Sequence, residues 1–463
     1  GCIRLKFIIP FKINAKEFNA LNNFMLEDSN MNDESKGMIN PWSSDDFFDY
    51  ERLKKEFGIG DIESSFDNFL FRRKIIIGQR SLDYIKYASD KKEQFNVMTG
   101  LMPSGEMHLG NKSAIDQVIY FQELGGKVSI SVADLESYST RGISLERARE
   151  VAINKYILNY IALGLKPCDI YFQSSKKDVQ FLSYILGNRT NLNELRAIYG
   201  FNDSYNLLHI NSPLIQAADV LHTQLPGYGG PRPTVVPVGF DQDPHIRLMR
   251  DLASRFRTYN VTYEKNLAVS IKGKDDPKDA IDRAVDYLSA RFSRIKKDYD
   301  YRIVTVEDAK PEDAVGIDID LARIESEWNQ FSFIQPSATY QRLIKGLKGG
   351  KMSSSVSDSL ISLNDDPDDA RKKIMSAMTG GRATEEEQRR LGGEPEKCPV
   401  FDIYNYEITD DRYVSEVFSD CKNGKRMCGF CKREIASKIV DMLGDLKEKR
   451  EKAKENLSLY IHE

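Results

Sequence analysis

Phe95-Asn96-Val97-Met98-Thr99-Gly100-Leu101-Met102-Pro103-Ser104-Gly105-Glu106-Met107-His108-Leu109-Gly110-Asn111 decides how the rest of the chain is read. Phe95 to Leu101 reads as a short buried strand and Pro103 to Gly110 as a turn. Ile115, Val118 and Ile119 then form the apolar stripe of a helix that Gly125-Gly126 ends. A strand that hands over to a helix through such a turn leaves unpaired N–H groups and the positive end of the helix dipole at its tip, an arrangement that holds phosphate. Gly105 and Gly110 let the backbone approach a ligand, and His108 and Asn111 can donate to anionic oxygens. The same two side chains can equally serve as capping groups of the helix.

Working outward, Val128, Ile130 and Val132 alternate as a second strand, and Thr234 to Val238 reads as another despite Pro237. Short apolar runs alternating with helical periods are the mark of βαβ units and a parallel sheet buried on both faces. The expected fold class is therefore α/β, with a Rossmann-like parallel-sheet core over residues 95–365. An irregular N-terminal extension (1–94) precedes it; within the extension, Tyr50, Leu53 and Phe57 share a helical face behind a Ser43-Ser44-Asp45 cap and stop at Gly58. A charged insertion occupies about 258–328, where Ile281, Val285, Leu288, Phe292 and Ile295 keep a helical period behind Asp275-Asp276-Pro277, followed by a strand-like Arg302 to Val306. Residues 366–463 read as a helical domain with Ile435, Ile439, Met442 and Leu446 on one packed face.

Composition narrows the class. The chain has 463 residues, 41% apolar and 29% charged, with 66 Lys and Arg against 70 Asp and Glu for a net charge of −4. That is a globular, multidomain balance rather than a disordered one. Its longest apolar runs, such as Ile75-Ile76-Ile77, fall far short of the roughly 18 residues of a membrane span, so a cytoplasmic location with no membrane partner is expected. Six cysteines in a chain this long do not make a disulfide framework. Four of them, Cys398, Cys421, Cys428 and Cys431, give a C-x6-C-x2-C run with one thiol upstream. They could complete a tetrahedral structural zinc (Zn2+) site or lie in the core as reduced thiols.

Far downstream, Gly349-Gly350-Lys351-Met352-Ser353-Ser354-Ser355 puts a lysine in a hydroxyl-rich loop, in isolation either a solvated turn or a phosphate clamp. A His-x-Gly turn after the first core strand, followed in order by a Lys-Met-Ser-Ser loop after the last, resembles the two signatures of class I aminoacyl-tRNA synthetases. Ser212 to Leu221 and Val238 to Arg247 resemble the amino-acid pocket segments of the tryptophanyl branch. Thr379 to Arg382, Gly392 to Cys398 and Cys421 to Gly424 are similar to the carboxyl-terminal domain of its archaeal members.

This resemblance implies a homodimeric ligase that uses ATP with Mg2+ to activate L-tryptophan and then charges tRNA(Trp). It implies catalytic roles at the phosphates for His108, Asn111, Lys351, Ser353 and Ser355, and ATP contacts from Pro103, Ser104, Gly105, Gly110, Gly239, Asp241 and Met352. Met98, Gly100, Ser131, Glu136, Gln216, Asp219 and Gln242 would line the amino-acid pocket, with Asp219 accepting the indole N–H. The tyrosyl branch shares the scaffold but reads a substrate hydroxyl with a tyrosine at the position of Met98; a methionine there suits an apolar ring better. Three departures stand out: Met98 and Ser131 where the eukaryotic-like pocket has Tyr and Gln, Asn111 where the first signature usually has His, and Ser354 where the second has Lys. Lys351 is thus the only fixed cation of its motif. The helical domain is expected to read the anticodon, with Arg382, Arg389 and Arg390 as candidate contacts.

Overall fold

The computed structural model describes residues 50–62, 66–272, 277–352 and 356–462. The proposed cap Ser43-Ser44-Asp45, the start signal Asp275-Asp276, and Ser353 and Ser355 lie outside the described residues. The helix Tyr50–Phe57 forms and ends at Gly58, whose φ of 61° is the left-handed conformation glycine adopts freely.

Ten strands are named in chain order: β1 (Ile76–Arg80), β2 (Asn96–Leu101), β3 (Lys127–Val132), β4 (Asp169–Phe172), β5 (Thr234–Gly239), β6 (Tyr259–Tyr263), β7 (Leu267–Ile271), β8 (Ile295–Asp298), β9 (Ile303–Val306) and β10 (Ser337–Gln341). The main sheet has the order β1-β10-β5-β2-β3-β4, parallel throughout except for β1, which runs antiparallel to β10. Val97, Ile130, Val132, Ile170 and Val235 are fully buried, as a sheet covered on both faces requires.

From β2 the chain steps outward to β3 and β4, then returns to build β5 and β10 on the other side. The order reverses between β2 and β5, and open α/β sheets bind ligands at the carboxyl ends of strands on either side of such a reversal. The β2–β5 ladder stops at Val97 opposite Val235, two residues before Pro237. The two strands part there, so the missing proline N–H breaks no β2 ladder bond and a crevice opens above.

The segment expected as an insertion folds into its own antiparallel sheet, β6-β7-β9-β8, against the helix Pro277–Ser289. Tyr259, Leu267, Val269, Ile281, Leu288, Val304 and Val306 form a separate apolar cluster there. It is tied back through buried Arg257, which pairs with Asp318 at 2.9 Å and Glu325 at 3.1 Å.

Two expected boundaries differ from the structure. The N-terminal one at 94/95 cuts through the core, because β1 is already an edge strand of the main sheet. Its run Ile75-Ile76-Ile77 is short and pairs antiparallel with the last strand, so nothing nearby in sequence announces its partner. The boundary at 365/366 is not a gap in packing either. Val400, Ile403, Tyr404, Ile435, Ile439 and Leu446 of the helical region belong to the same apolar cluster as Val97, Ile130 and Ile170. Arg450 donates to Asn159 Oδ1 (2.9 Å) and to the Leu363 carbonyl (2.8 Å), and Ile461 bridges Ile170.

Candidate active site

Three segments end at the crevice: the turn after β2, the turn after β5, and a hairpin after β10. The Lys351 ammonium lies 3.5 Å from Asp241 Oδ2, which joins the third segment to the second. Burial, and secondly the Lys351 charge, lowers the His108 imidazole to about 4, which places Lys351 beside the first. The backbone agrees: His108 pairs with Ser362 as an isolated bridge, and Leu363 N–H donates to the Met107 carbonyl at 2.9 Å. The histidine turn and the lysine loop, over 240 residues apart in sequence, stand side by side.

Both sequence readings of His108 and Asn111 meet in one geometry. His108 Nδ1 accepts the Gly110 N–H (3.1 Å), and Asn111 Oδ1 accepts the His108 N–H (3.1 Å), a reciprocal capping box on the helix Leu109–Glu123. An imidazole whose Nδ1 accepts carries its proton on Nε2, so a neutral His108 is a donor rather than a cation. Gly110 has no room for a side chain, since a Cβ would lie 2.9 Å from His108 Cε1 and 3.0 Å from Ile344 Cγ2. Ser104 and Gly105 are half-buried in the same turn, next to buried Pro103. The Met352 side chain is 1% exposed within the core, and its N–H closes the hairpin on the Ile344 carbonyl (3.0 Å). The apolar residue of the motif anchors the loop that its lysine uses.

After β5, Gly239 lies close against the Asp241 side chain: a Cβ there would stand 2.5 Å from Oδ1 and push the carboxylate aside. Gln242 Nε2 donates to Asp241 Oδ2 at 3.4 Å. Buried Asp243 accepts from Arg80 (2.9 Å) and Tyr340 (2.6 Å) and pairs with Arg247 (3.1 Å), which pins the turn to β1 and β10. Sequence reasoning missed this network because Arg80 sits on the unforeseen strand.

Toward β3 and β4, Met98 and Gly100 share one side of β2, with Met98 buried and Gly100 opposite Ser131. Gln216 Nε2 donates to Glu136 Oε2 at 2.8 Å, and burial raises the Glu136 carboxyl against the effect of that bond. Asp219, three residues on along the helix Leu207–Leu221, is 5% exposed and faces inward. Its carboxylate already takes two side-chain donors. Tyr171 OH donates to Oδ1 (2.8 Å) and Gln173 Nε2 to Oδ2 (2.6 Å). Burial raises Asp219 to about 7, while Gln173, Tyr171 and Ser131 pull the other way. Tyr171 and Gln173 lie on and just after β4; their sequence signal, a Tyr-x-Gln at a strand end, is too common to single out.

The four cysteines do converge, on a cavity of about 20 Å³ that Thr379, Val400, Phe401, Val417 and Arg426 also line. The zinc expectation gains no support. Among the described residues, no group of three or more His, Cys, Asp or Glu is placed to hold a metal ion. The Cys431 sulfur instead takes a hydrogen bond from Arg426 Nε at 2.9 Å, and burial raises the Cys398 and Cys431 thiols and pushes Cys421 up to about 11. Among the described residues no helix is long and apolar enough to cross a membrane.

Comparison with known proteins gives the family. The family described as "tRNA synthetases class I (W and Y)" matches residues 90–277 and 315–444, leaving out most of the insertion. The tryptophan–tRNA ligase of Thermoplasma acidophilum is 72% identical over 426 residues, 92% of this chain and all of the relative; that of Thermoplasma volcanium is 74% identical over the same span. The crystal structure of tryptophanyl-tRNA synthetase from Aeropyrum pernix, 35% identical, superposes with a TM-score of 0.70, covering 91% of this chain and 99% of that one. The chain belongs to the class I tRNA synthetase family of tryptophan and tyrosine enzymes, on its archaeal tryptophan–tRNA ligase branch.

Proposed function

We propose that this protein is the ligase that joins L-tryptophan to tRNA(Trp), first making tryptophanyl-adenylate and pyrophosphate from tryptophan and magnesium-bound ATP. The observation that carries the reading is the meeting of Lys351, His108 and Asp241 at the strand-order reversal. The nucleophile is the substrate's own carboxylate, already an anion, so no general base is required. Catalysis is then positioning plus stabilisation of negative charge on the phosphates.

His108, held neutral, offers an Nε2–H to a phosphate oxygen without adding charge, and Asn111 holds the turn that presents it. Lys351 brings the motif's one fixed cation to the β and γ phosphates, leaving Asp241 free to face the ribose. Ser353 and Ser355 add hydroxyl donors in this reading. Gly100, Glu136, Gln216 and Gln242 surround the substrate amine and carboxylate, with Met98 and Asp219 at the ring.

Phe181 and Tyr184 on the helix Lys177–Gly187 and Leu207 on the helix Leu207–Leu221 packed beside it are exposed apolar side chains that a second copy could cover, in keeping with a cytoplasmic homodimer. The helical domain takes the anticodon. Pyrophosphate exchange dependent on tryptophan and absent with tyrosine is the expected result. Equal exchange with tyrosine, or tryptophan exchange without charging of tRNA(Trp), overturns the assignment.

A further inference from the structure

Lys351 belongs to a closed hairpin rather than a free loop. Lys345 and Lys351 form an antiparallel bridge, Gly346 N–H donates to the Gly350 carbonyl (3.0 Å) and Met352 N–H to the Ile344 carbonyl (3.0 Å). Gly349 and Gly350, with φ of 94° and 67°, make the reversal. The hairpin is closely packed: a Cβ on Gly346 would run into Ser359 Oγ and lie 3.1 Å from the Gly349 carbonyl and 3.2 Å from the Lys351 carbonyl. The bridge ties the placement of Lys351 to that of Lys345.

Lys345 is held from outside the crevice. Asp402, on the helix Pro399–Glu407 and 3% exposed, accepts from Lys345 Nζ at 3.0 Å and from the Lys345 backbone N–H at 3.3 Å. Its other oxygen lies 3.6 Å from Arg342 Nη2, at the hairpin base. Two further bonds fix that base: Tyr406 OH, on the same helix, donates to the Arg342 carbonyl (2.9 Å), and Leu343 N–H donates to Tyr50 OH (3.0 Å). At the turn, Met378 N–H donates to the Leu347 carbonyl at 2.8 Å.

We propose that Asp402 is a positioning residue for Lys351, transmitting the placement of the helix Pro399–Glu407 to the ammonium over the triphosphate. An ion pair that served only to glue two surfaces would engage the lysine side chain alone. Here the carboxylate also takes the backbone N–H opposite Lys351, so it sets the strand as well as the charge. It has a second effect: bound to Asp402, the Lys345 and Arg342 cations are held away from Lys351, which would otherwise share the crevice with unneutralised like charges. The inference rests on the reading of Lys351 given above.

The test is a double-mutant cycle on the full-length protein, read by tryptophan-dependent pyrophosphate exchange over a range of ATP concentrations. Asp402→Asn keeps the shape and an acceptor but removes the charge. It is expected to lower kcat/KM for ATP about tenfold while leaving KM for tryptophan unchanged. In a Lys351→Ala background the same substitution is expected to change kcat/KM for ATP less than about twofold, because the residue it positions is gone.

A full tenfold loss in that background, or a tryptophan KM that moves with the ATP parameters, overturns the proposal, since either marks a general structural role. If Asp402→Asn does not fold, Lys345→Met is measured in its place. It leaves Asp402 paired with Arg342; a loss of about threefold for ATP supports the proposal and no change overturns it. If Lys351→Ala itself leaves activation untouched, it is the parent reading of Lys351 that fails, a result distinguishable from failure of Asp402 alone.

Discussion

In the crevice, Lys351, His108 and Asp241 come from three segments and meet with complementary roles: a cation, a neutral donor and a carboxylate. In the helical region four cysteines also meet, around a cavity of about 20 Å³, yet burial raises the Cys398, Cys421 and Cys431 thiols and a guanidinium already occupies one sulfur. Convergence alone therefore does not make a site. In the crevice burial keeps His108 in the neutral donor form its chemistry uses, whereas in the cavity burial favours the inert thiol.

The largest effect expected from this contrast is at Lys351. Removing the only fixed cation of its motif in Lys351→Ala should slow single-turnover adenylate formation by about 10²–10³. Tryptophan affinity, measured by quenching of protein fluorescence, should change less than about threefold. An unaltered activation rate would dissolve the distinction between the two clusters.

A smaller effect, with a pH signature, belongs to Asp219. Its value is raised from 3.8 to about 7, so its charged form is disfavoured in the fold. The resulting penalty is absent below about pH 4, where the carboxyl is protonated folded or unfolded; it grows with rising pH and is complete above about 7, at most about 4 kcal/mol. Asp219→Asn should flatten that decline in urea unfolding between pH 5 and 8. Tryptophan binding in the parent chain should tighten as pH rises through about 7, as the better acceptor forms. The variant should bind about tenfold more weakly and without the inflection. An inflection that survives in Asp219→Asn would assign the titration elsewhere.

The parts of this molecule that were readable in sequence are those governed by local rules. The strand, turn and helix from Asn96 to Glu123 follow from apolar spacing and two glycines, and the helix Cys428–Ala453 from its Ile435, Ile439 and Leu446 stripe. What stayed hidden depends on partners far along the chain. β1 pairs with a strand some 260 residues later, and the Asp243 network needs Arg80 from it. Tyr171 and Gln173 acquire meaning only when β4 lies beside the Asp219 helix. The cysteines show the reverse limit. Their spacing is legible and their meeting real, but the sequence carries no sign that Arg426 and burial would set their protonation.

That protonation is open to direct measurement, and it sharpens the contrast at its weak end. A buried thiol reacts with a maleimide only through its thiolate fraction, which falls about tenfold for each pH unit below its titration point. With Cys421 pushed up to about 11, about one molecule in 10³–10⁴ is reactive near neutral pH. Its labelling in the folded protein should therefore be slow at pH 7.5 and climb close to tenfold per unit up to pH 9.5. Arg426→Met removes the donor to Cys431 and should slow that neighbour further, because the guanidinium is what favours its thiolate. If labelling is instead independent of pH across that range and is released by a chelator, the thiols are held as thiolates by a metal. The cavity would then be a second prepared site, and the difference drawn between it and the crevice would not stand.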